Sequence, residues 1–338
     1  MKQTNSVSIG AIGKAALRYK KILVVIGLIL LVFIAGEFLV VNVTGAAPGS
    51  FLSGTQILLT IRMGGFIAIF ALCQALVMCV GGFDLSVGFI ATLTALLGAS
   101  VMNADVNSTA NTNIGLAVLI AIGVGLVFGL INGFLVSYLR LPALVVTMAV
   151  QYIAQGFVEA YVGGSYIDGR PAPILRTIAA ESTAGIPNMV FLVIALCIVV
   201  SLVIYKTKFG VKLLGVGTNE TVAYLCGVNV KLWRCLAYVV SGVVAGLAGL
   251  LLAGNAGFVF KDMASSYVMP SIVAVVVGGV SVNGGECNYF GVVLGAILIQ
   301  VLQNLFIALN WGEGSRYLGY GAILMMMLIL YVRNKRSR

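Results

Sequence analysis

The sequence predicts an all-α, polytopic membrane protein with about ten transmembrane helices. Of its 338 residues, 61% are hydrophobic and only 9% are charged, and the mean hydropathy is +1.11. The apolar residues are gathered into runs of about twenty, the length at which a helix crosses the hydrocarbon core of a bilayer. Because no water reaches the backbone there, each run must satisfy its own hydrogen bonds as a helix. Functional residues are therefore sought in the loops and among polar residues inside the spans.

Eight spans are clear, and two shorter runs interrupted by glycine complete the set of ten. The clear spans are 22–41, 57–80, 114–138, 143–161, 189–205, 232–254, 289–309 and 316–332. The shorter runs are 85–102 and 268–282. The first span exceeds the roughly 7 to 15 apolar residues of a signal peptide, and Asn42-Val43-Thr44 after it offers no small-x-small cleavage site. We therefore expect this span to be a retained helix.

The distribution of charge supports ten spans and sets their orientation. With the amino terminus inside, all but five of the 20 basic residues fall in inner segments, as the positive-inside rule requires. Omitting one short run would invert every later loop and destroy this asymmetry, so we expect both termini to be cytoplasmic. The expected division is a cytoplasmic segment 1–21, a transmembrane domain 22–332 with an extracytoplasmic loop 162–188 and a cytoplasmic loop 206–231, and a cytoplasmic tail 333–338.

Composition argues against several classes of function. The chain has no histidine, and its six cysteines have no paired spacing, so neither a zinc site nor a disulfide framework is predicted and no metal or cofactor is expected. The net charge of +10 is dispersed among loops, which argues against nucleic acid as a partner. The sequence shows no nucleophile paired with a base, so it does not indicate an enzyme. Because the sequence has no Gly-x-x-x-x-Gly-Lys-Ser/Thr loop, energy for transport must come from another subunit or from an ion gradient.

Glycines recur at helix-packing spacing in three of the spans. They are Gly125, Gly129 and Gly133, then Gly242 and Gly246, then Gly291 and Gly295. Small residues four positions apart let helix backbones approach closely inside a membrane. We interpret these glycines as packing contacts within one subunit, and a dimerisation face is the alternative.

Polar residues inside the spans are candidates for a translocation pathway. They are Gln151, Gln155 and Glu159 on one face of span 143–161, Gln300, Gln303 and Asn304 on one face of span 289–309, and the single residues Gln74 and Asn132. Intramembrane polar groups usually face the bundle or a water-filled cavity, and amides suit an uncharged, hydroxylated solute. Hydrogen bonding between helices, worth about 0.6 kcal/mol for each bond, is the alternative. We favour the pathway for the first group and packing for the second.

The loops contain two segments with helical character. In the outer loop the amphipathic residues 174–180 predict a short helix at the outer surface that could act as a gate, with an ordinary ordered loop as the alternative. The polar residues 103–113 predict a simple exposed loop.

The inner loop contains a predicted surface helix within residues 217–228. Thr218 or Asn219 can cap its amino end, and Glu220 is favourable in its first turn. Gly227 is suited to end it.

Asp84 lies between two spans in the turn Gly81-Gly82-Phe83-Asp84-Leu85-Ser86. An ionised aspartate at the bilayer centre costs about 2.5 to 3.5 kcal/mol. We therefore expect Asp84 near the inner boundary, where it would cap a helix that begins at Leu85. A role in gating or coupling is the alternative.

Four motifs then occur in the order typical of one family. They are residues 81–88, Asn132-Gly133-Phe134-Leu135 with Leu139-Arg140-Leu141-Pro142, residues 219–228, and Ala274-Val275-Val276-Val277-Gly278-Gly279 with Asn283-Gly284-Gly285. On these motifs the chain resembles the permease subunits of monosaccharide ABC importers of the ribose, galactose and xylose type. The resemblance extends from about residue 50 to 330. It implies the ten-helix importer fold first associated with vitamin B12 uptake.

The resemblance implies a function and a set of partners. The permease would form the pathway for a monosaccharide across the bacterial cytoplasmic (inner) membrane, driven by ATP hydrolysis on a separate cytoplasmic ABC ATPase subunit. A second permease subunit, identical or related, an extracytoplasmic sugar-binding protein and membrane lipid are the other implied partners. Nucleosides or a sugar-like signal molecule are alternative substrates. An ion-coupled secondary transporter is the rival class, and it would need buried carboxylates or broken helices at mid-membrane.

The resemblance also assigns roles to particular residues. The coupling helix, which sits in a groove of the ATPase, would comprise Asn219, Glu220, Thr221, Val222, Ala223, Tyr224, Leu225, Cys226 and Gly227. The chain departs from the family pattern at Phe83, where isoleucine is frequent, and at Glu286, which replaces an expected cation near the inner face.

The five basic residues outside the inner segments are candidates for docking the binding protein. They are Arg62, Arg170, Arg176, Lys261 and Arg316. Basic groups at the outer face could pair with acidic groups of a docking partner. Solvated loop charge is the alternative for each.

Overall fold

The structure, a computed structural model, describes residues 4–102, 113–163 and 169–336. Nearly all of the polar loop predicted for residues 103–113 therefore lies outside the described residues, as does part of the predicted extracytoplasmic loop 162–188.

Helices make up most of the described chain. They are α1 (Thr4–Thr44), α2 (Gly54–Cys79), α3 (Val87–Met102), α4 (Ile114–Ser137), α5 (Ala143–Val162), α6 (Pro173–Ala179), α7 (Asn188–Lys206), α8 (Lys208–Thr218), α9 (Glu220–Leu225), α10 (Val230–Ala256), α11 (Val268–Val277), α12 (Tyr289–Ala308) and α13 (Glu313–Arg336). A 3-10 helix, Ser265–Tyr267, leads into α11. Two short strands, β1 (Ser182–Thr183) and β2 (Ile186–Pro187), pair antiparallel between α6 and α7.

Each of the ten predicted spans coincides with one of these helices. Among the described residues, seven helices are long and apolar enough to cross a membrane, namely α1, α2, α4, α5, α7, α10 and α12. The helix α3 and the segment 265–277 that contains α11 are shorter and apolar, and α13 occupies the last predicted span. The prediction of an all-α, polytopic membrane protein is confirmed.

The two short spans differ from their predicted bounds. The helix α3 begins at Val87 rather than at residue 85, because the preceding residues form a hydrogen-bonded turn. The predicted run 268–282 is too long, since α11 ends at Val277. Gly279 has a φ of +88°, and the amide of Val280 donates to the carbonyl of Val275 at 3.2 Å, the bond that closes a helix with a left-handed glycine.

The helices α2 and α10 form the centre of the bundle. In the most apolar stretch of α2, 83% of the residues are buried, against 17% in the corresponding stretches of α1 and α7. The helix α10 packs along α3, α4 and α2, and α2 packs on α12. The outer helices keep apolar faces exposed, which suits contact with lipid or with another subunit.

The glycines at helix-packing spacing join helices within the subunit. A Cβ atom built on Gly242 would collide with the carbonyl oxygen of Gly125 in α4. A Cβ atom built on the other glycines would collide with the backbone of the neighbouring helix in the same way. These glycines are Gly129, Gly133, Gly246, Gly291 and Gly295. No side chain fits at these positions, so α10 approaches α4, and α12 approaches α11, to backbone contact. Packing within one subunit is thus confirmed for these glycines.

The bundle has two distinct ends. One, here named the α9 end, is formed by α8, α9, the carboxyl ends of α2 and α4, and the amino end of α10. At the opposite end lies α6, the short helix predicted for the outer loop. Leu175 of α6 is buried, and a Cβ on Gly254 would lie 2.5 Å from the Leu175 carbonyl oxygen, so α6 packs on the carboxyl end of α10.

Candidate functional site

Segments from two of the four sequence motifs, and residues next to a third, are in backbone contact at the α9 end. The amide of Gly285 donates to the carbonyl of Cys79 at 3.0 Å. A Cβ atom on Gly81 would lie 3.7 Å from the carbonyl oxygen of Asn283. At Gly217, two residues before the third motif, a Cβ would collide with the Cys79 carbonyl and lie 2.6 Å from the Gly285 amide nitrogen. Residues 283–285, the end of α2 and the segment leading into α9 thus form one unit.

The surface helix predicted within residues 217–228 is present as α9. The side chain of Asn219 caps it, because its Oδ1 accepts a hydrogen bond from the amide of Val222 at 3.1 Å. Thr218 instead belongs to α8, where its hydroxyl donates to the Leu214 carbonyl at 2.8 Å. Gly227 has a φ of +77° and follows the end of the helix, as expected.

The helix α8 was missed in the sequence. It is capped by Thr207, whose hydroxyl oxygen accepts from the amide of Gly210 at 3.5 Å. The ring of Phe209 in α8 packs against the ring of Trp233 in α10, with 5.3 Å between the ring centroids. The Lys212 ammonium lies 5.3 Å from the centroid of the Trp233 ring. Two features of the sequence could have predicted this helix: Thr207 as a cap, and apolar residues at helical spacing, which include the buried Leu213.

The helix α9 presents an apolar surface away from the bundle. Val222, Tyr224 and Leu225 expose 54%, 72% and 77% of their surface. Ala223 is buried beneath them and holds the helix on the bundle. An exposed group of large apolar residues on a capped helix is typical of a protein contact.

An ion pair fixes α9 to the amino end of α10. The Glu220 carboxylate accepts a hydrogen bond from the Arg234 guanidinium. The pair borders a cleft of about 380 Å³, whose lining also includes Gly81, Gly82 and Arg140. Arg140 belongs to the second sequence motif, so all four motifs contribute to this end of the molecule.

Asp84 lies at the centre of a buried polar network. Its carboxylate accepts from the Ser86 amide at 3.0 Å, from the Ser86 hydroxyl at 2.6 Å and from the Ser241 hydroxyl at 3.2 Å. Burial raises the pKa of the Asp84 carboxyl above its ordinary value, and these hydrogen bonds act in the opposite direction. The prediction that Asp84 caps a helix beginning at Leu85 is wrong in detail, because α3 begins at Val87 and Asp84 instead closes the turn before it.

Gln74 and Asn132 belong to the same network. The Gln74 amide donates to the Asp84 carbonyl at 2.5 Å, and the Asn132 amide donates to the Ser86 hydroxyl at 2.8 Å. Both side chains are fully buried. Gly81 and Gly82, which belong to the predicted structural turn, lie beside this network. A side chain at Gly82 would collide with the Tyr238 hydroxyl.

The polar residues of α12 bond to one another and to neighbouring helices. Gln300 donates to the Asn304 side chain at 2.9 Å, and Asn304 donates to the Thr60 hydroxyl of α2 at 2.7 Å. Gln303 donates to the hydroxyl of Tyr320 in α13. The Gln300 bond lies within α12, whereas the bonds of Asn304 to α2 and of Gln303 to α13 are the interhelical bonds that the packing interpretation expects.

The polar residues of α5 are placed differently. Gln151 and Gln155 are half-buried, and within the described part of the chain their side chains have no hydrogen-bond partner. Glu159, further along the same helix, pairs with Lys261 at 3.2 Å between Nζ and Oε1, and both side chains are about half exposed. The amides of α5 are therefore free to meet groups outside the described residues.

The five basic residues predicted for docking fall into two groups. Arg62 is half-buried and donates to the carbonyl of Ala180 at 2.7 Å, which ties α2 to the end of α6. Arg316 and Lys261 are engaged with Glu313 and Glu159. Arg170 and Arg176 are exposed at the end opposite α9 and make no ion pair with a described residue.

Comparison with known families gives a match over residues 56–332 to a family described as the branched-chain amino acid transport system / permease component. Similar proteins include the autoinducer 2 import system permease protein LsrC of three bacteria. The Yersinia enterocolitica protein is 31% identical over 277 residues, which cover 82% of this chain and 72% of that protein. The proteins of Shigella flexneri and Escherichia coli strain K12 are 29% and 28% identical, over 82% of this chain and 76% of theirs. No solved structure gives a significant match.

Proposed function

Because the chain belongs to the permease component family of the branched-chain amino acid transport system, we propose that it forms the translocation pathway of an ABC importer for a sugar-type solute. The family match covers residues 56–332 and includes the four motifs by which the chain resembles monosaccharide importers. The chain is a transporter subunit and not an enzyme in its own right. ATP hydrolysis belongs, in this proposal, to a separate subunit.

The exposed apolar surface of α9 is the observation that carries the proposal. Val222, Tyr224 and Leu225 project from a capped helix that is fixed to the bundle by Ala223 and by the pair of Glu220 with Arg234. A permease that is driven by a separate ATPase needs such a surface to receive force from it. In the proposed assembly α9 is the coupling helix and the α9 end is cytoplasmic.

The solute pathway is assigned to the face of α5 that carries Gln151 and Gln155. Their amides are unpaired within the described chain, whereas the α12 amides are bonded within α12 or to neighbouring helices. Neutral donors and acceptors match a hydroxylated solute without charge. Because the similar permeases are named for autoinducer 2 import, a sugar-like signal molecule is the first substrate to test, and monosaccharides come next.

The assembly proposed here has four kinds of component. A second permease, identical or related, pairs with this chain in the bacterial inner membrane, and an ABC ATPase binds at the α9 end. A binding protein delivers the solute at the opposite end, where Arg170 and Arg176 are exposed. Both chain termini are cytoplasmic in this arrangement.

The rival proposal, an ion-coupled secondary transporter, lacks support in the described residues. The Asp84 carboxylate accepts three hydrogen bonds from within the chain, and Glu159 is half exposed and paired with Lys261. Neither carboxylate resembles an unpaired mid-membrane coupling site.

Reconstitution tests the proposal. The permease is purified with its ATPase and placed in proteoliposomes with the binding protein, and accumulation of autoinducer 2, ribose and galactose is measured with and without ATP. We expect accumulation of at least one solute that requires ATP, the ATPase and the binding protein together. Accumulation by the permease alone in proportion to a proton gradient would contradict the proposal.

A further inference from the structure

One face of α10 connects the coupling helix to the Asp84 turn. Arg234, Tyr238 and Ser241 are spaced four and three residues apart, so they lie on the same side of the helix. Tyr238 and Ser241 are fully buried, whereas Arg234 lies at the boundary of the bundle. Each of the three side chains contacts a different part of the structure at the α9 end.

The contacts follow one another along the helix. Arg234 binds the carboxylate of Glu220 in the first turn of α9. One turn further, the Tyr238 hydroxyl packs against Gly82 and lies 3.5 Å from the Phe83 carbonyl oxygen, to which it donates. Ser241 then donates to the Asp84 carboxylate at 3.2 Å.

The connection continues beyond Asp84 into two further helices. Ser86, which donates to Asp84, accepts from Asn132 of α4 at 2.8 Å. Gln74 of α2 donates to the Asp84 carbonyl at 2.5 Å. Four segments are thereby joined to α10 through hydrogen bonds and one ion pair, namely α9, the turn 81–86, α4 and α2.

We propose that Arg234, Tyr238 and Ser241 are positioning residues for coupling, which keep α9 and the Asp84 turn in a fixed relation as the ATPase moves α9. The inference rests on the proposed function, because it assigns the route by which that ATPase acts on the helices of the pathway. Energetic coupling between distant sites is carried by packed side chains, hydrogen-bond networks and rigid secondary elements, all of which α10 provides here. Neither Tyr238 nor Ser241 is accessible to a partner, so their effect cannot come from direct contact with the ATPase.

The chain provides matched controls for both buried positions. Tyr289 of α12 is also buried, and its hydroxyl donates to the Ala68 carbonyl at 3.1 Å. Ser271 of α11 is buried, and its hydroxyl donates to the Val268 carbonyl at 2.7 Å. Tyr238→Phe is therefore compared with Tyr289→Phe, and Ser241→Ala with Ser271→Ala, because each pair removes one buried hydroxyl hydrogen bond.

The experiment uses the complete importer in proteoliposomes and measures the number of autoinducer 2 or ribose molecules accumulated for each ATP hydrolysed. Tyr238→Phe and Ser241→Ala are expected to lower this ratio by at least about twofold, the smallest effect expected of residues that carry coupling. Purification with the ATPase and basal ATP hydrolysis should stay at wild-type levels. Both control variants should keep the wild-type ratio.

The outcomes separate this inference from the proposed function. A wild-type ratio in Tyr238→Phe and Ser241→Ala, or an equal loss in the two controls, overturns the inference while the importer itself still works. Absence of ATP-dependent accumulation in the wild-type importer overturns the proposed function and the inference with it. The single variants Glu220→Arg and Arg234→Glu should each lower the ratio. If the double variant restores it, this supports a role in coupling for the ion pair between Glu220 and Arg234.

Discussion

The hydroxyl of Ser241 donates to the Asp84 carboxylate at 3.2 Å, although 157 residues separate the two in the sequence. This bond fixes the turn between α2 and α3 to the middle of α10, the helix that also receives the ion pair from α9. The turn at the end of α2 is thereby part of the central packing of the bundle.

Replacement of Asp84 tests the buried network. Asp84→Ala leaves the Ser86 amide and the hydroxyls of Ser86 and Ser241 without their acceptor, and unpaired buried donors cost about 1 to 3 kcal/mol. Asp84→Asn should cost less than half as much, since its amide oxygen can accept from Ser86 while its amide nitrogen donates to Ser241. Thermal unfolding in detergent measures both. Equal stability of Asp84→Ala and the wild type would show that the network does not stabilise the bundle.

Close packing of α4 on α10 predicts a sharp difference between two neighbouring glycines. A Cβ at Gly125 would collide with the Gly242 carbonyl, whereas a Cβ at Gly123 meets nothing within 4 Å. Gly125→Ala should destabilise the protein by about 1 to 3 kcal/mol through overpacking. Gly123→Ala should be neutral or slightly stabilising, because alanine is the better helix former. Thermal unfolding of the two variants side by side decides the point, and similar unfolding temperatures would refute the backbone contact.

The exposed surface of α9 predicts where the ATPase binds. Tyr224→Asp, alone or with Glu220→Lys, should weaken binding of the ATPase by about thirtyfold, the loss of about 2 kcal/mol typical of a hot-spot residue. It should also uncouple ATP hydrolysis from uptake while the permease remains folded. Ile186→Asp, a change at a 42% exposed residue of the opposite end, is the control and should leave ATPase binding unchanged. Normal coupled uptake by the Tyr224 variant would remove α9 from the interface.

The two groups of intramembrane amides should respond differently to alanine. Gln151→Ala and Gln155→Ala should reduce uptake with little change in unfolding temperature, because neither side chain bonds to a described residue. Asn304→Ala breaks the bonds to Gln300 and Thr60 and should cost about 1 kcal/mol of stability, with uptake reduced only in step with folded protein. Uptake normalised to folded protein, together with thermal unfolding, distinguishes the cases. The reverse pattern would place the pathway along α12.

The outer basic residues should also divide into two groups. Reversing the charge of the exposed pair, Arg170→Glu with Arg176→Glu, should weaken binding of the binding protein, most strongly at low salt where charge attraction is least screened. Arg62→Glu should instead destabilise the fold, since Arg62 donates to the Ala180 carbonyl within the chain. Titration of the binding protein at two ionic strengths measures the first effect. Wild-type affinity of the variant with both exposed arginines reversed, at both ionic strengths, would speak against docking through these residues.

The motif region shows why some predictions from the sequence succeeded and others did not. The helix α9 could be predicted because its signals are local, with Asn219 as the cap and Gly227 at its end. The helix α8 was missed although Thr207 and the apolar spacing are local signals, whereas its place on the bundle depends on contact of Phe209 with Trp233 of another helix. Asp84 was expected to cap a helix, whereas its actual partner Ser241 comes from a distant part of the chain.

The sequence by itself determined the all-α membrane architecture, the ten helical segments and the family to which the chain belongs. It could do so because the bilayer imposes one length and one apolar composition on every span, whatever its neighbours. Only the tertiary structure decided which polar residues hold the bundle together and which are available to a solute. Gln155 and Asn304 both carry amides on spanning helices, yet among the described residues only Asn304 has partners, which include the Thr60 hydroxyl of α2. Such a bond depends on what another helix brings within about 3 Å.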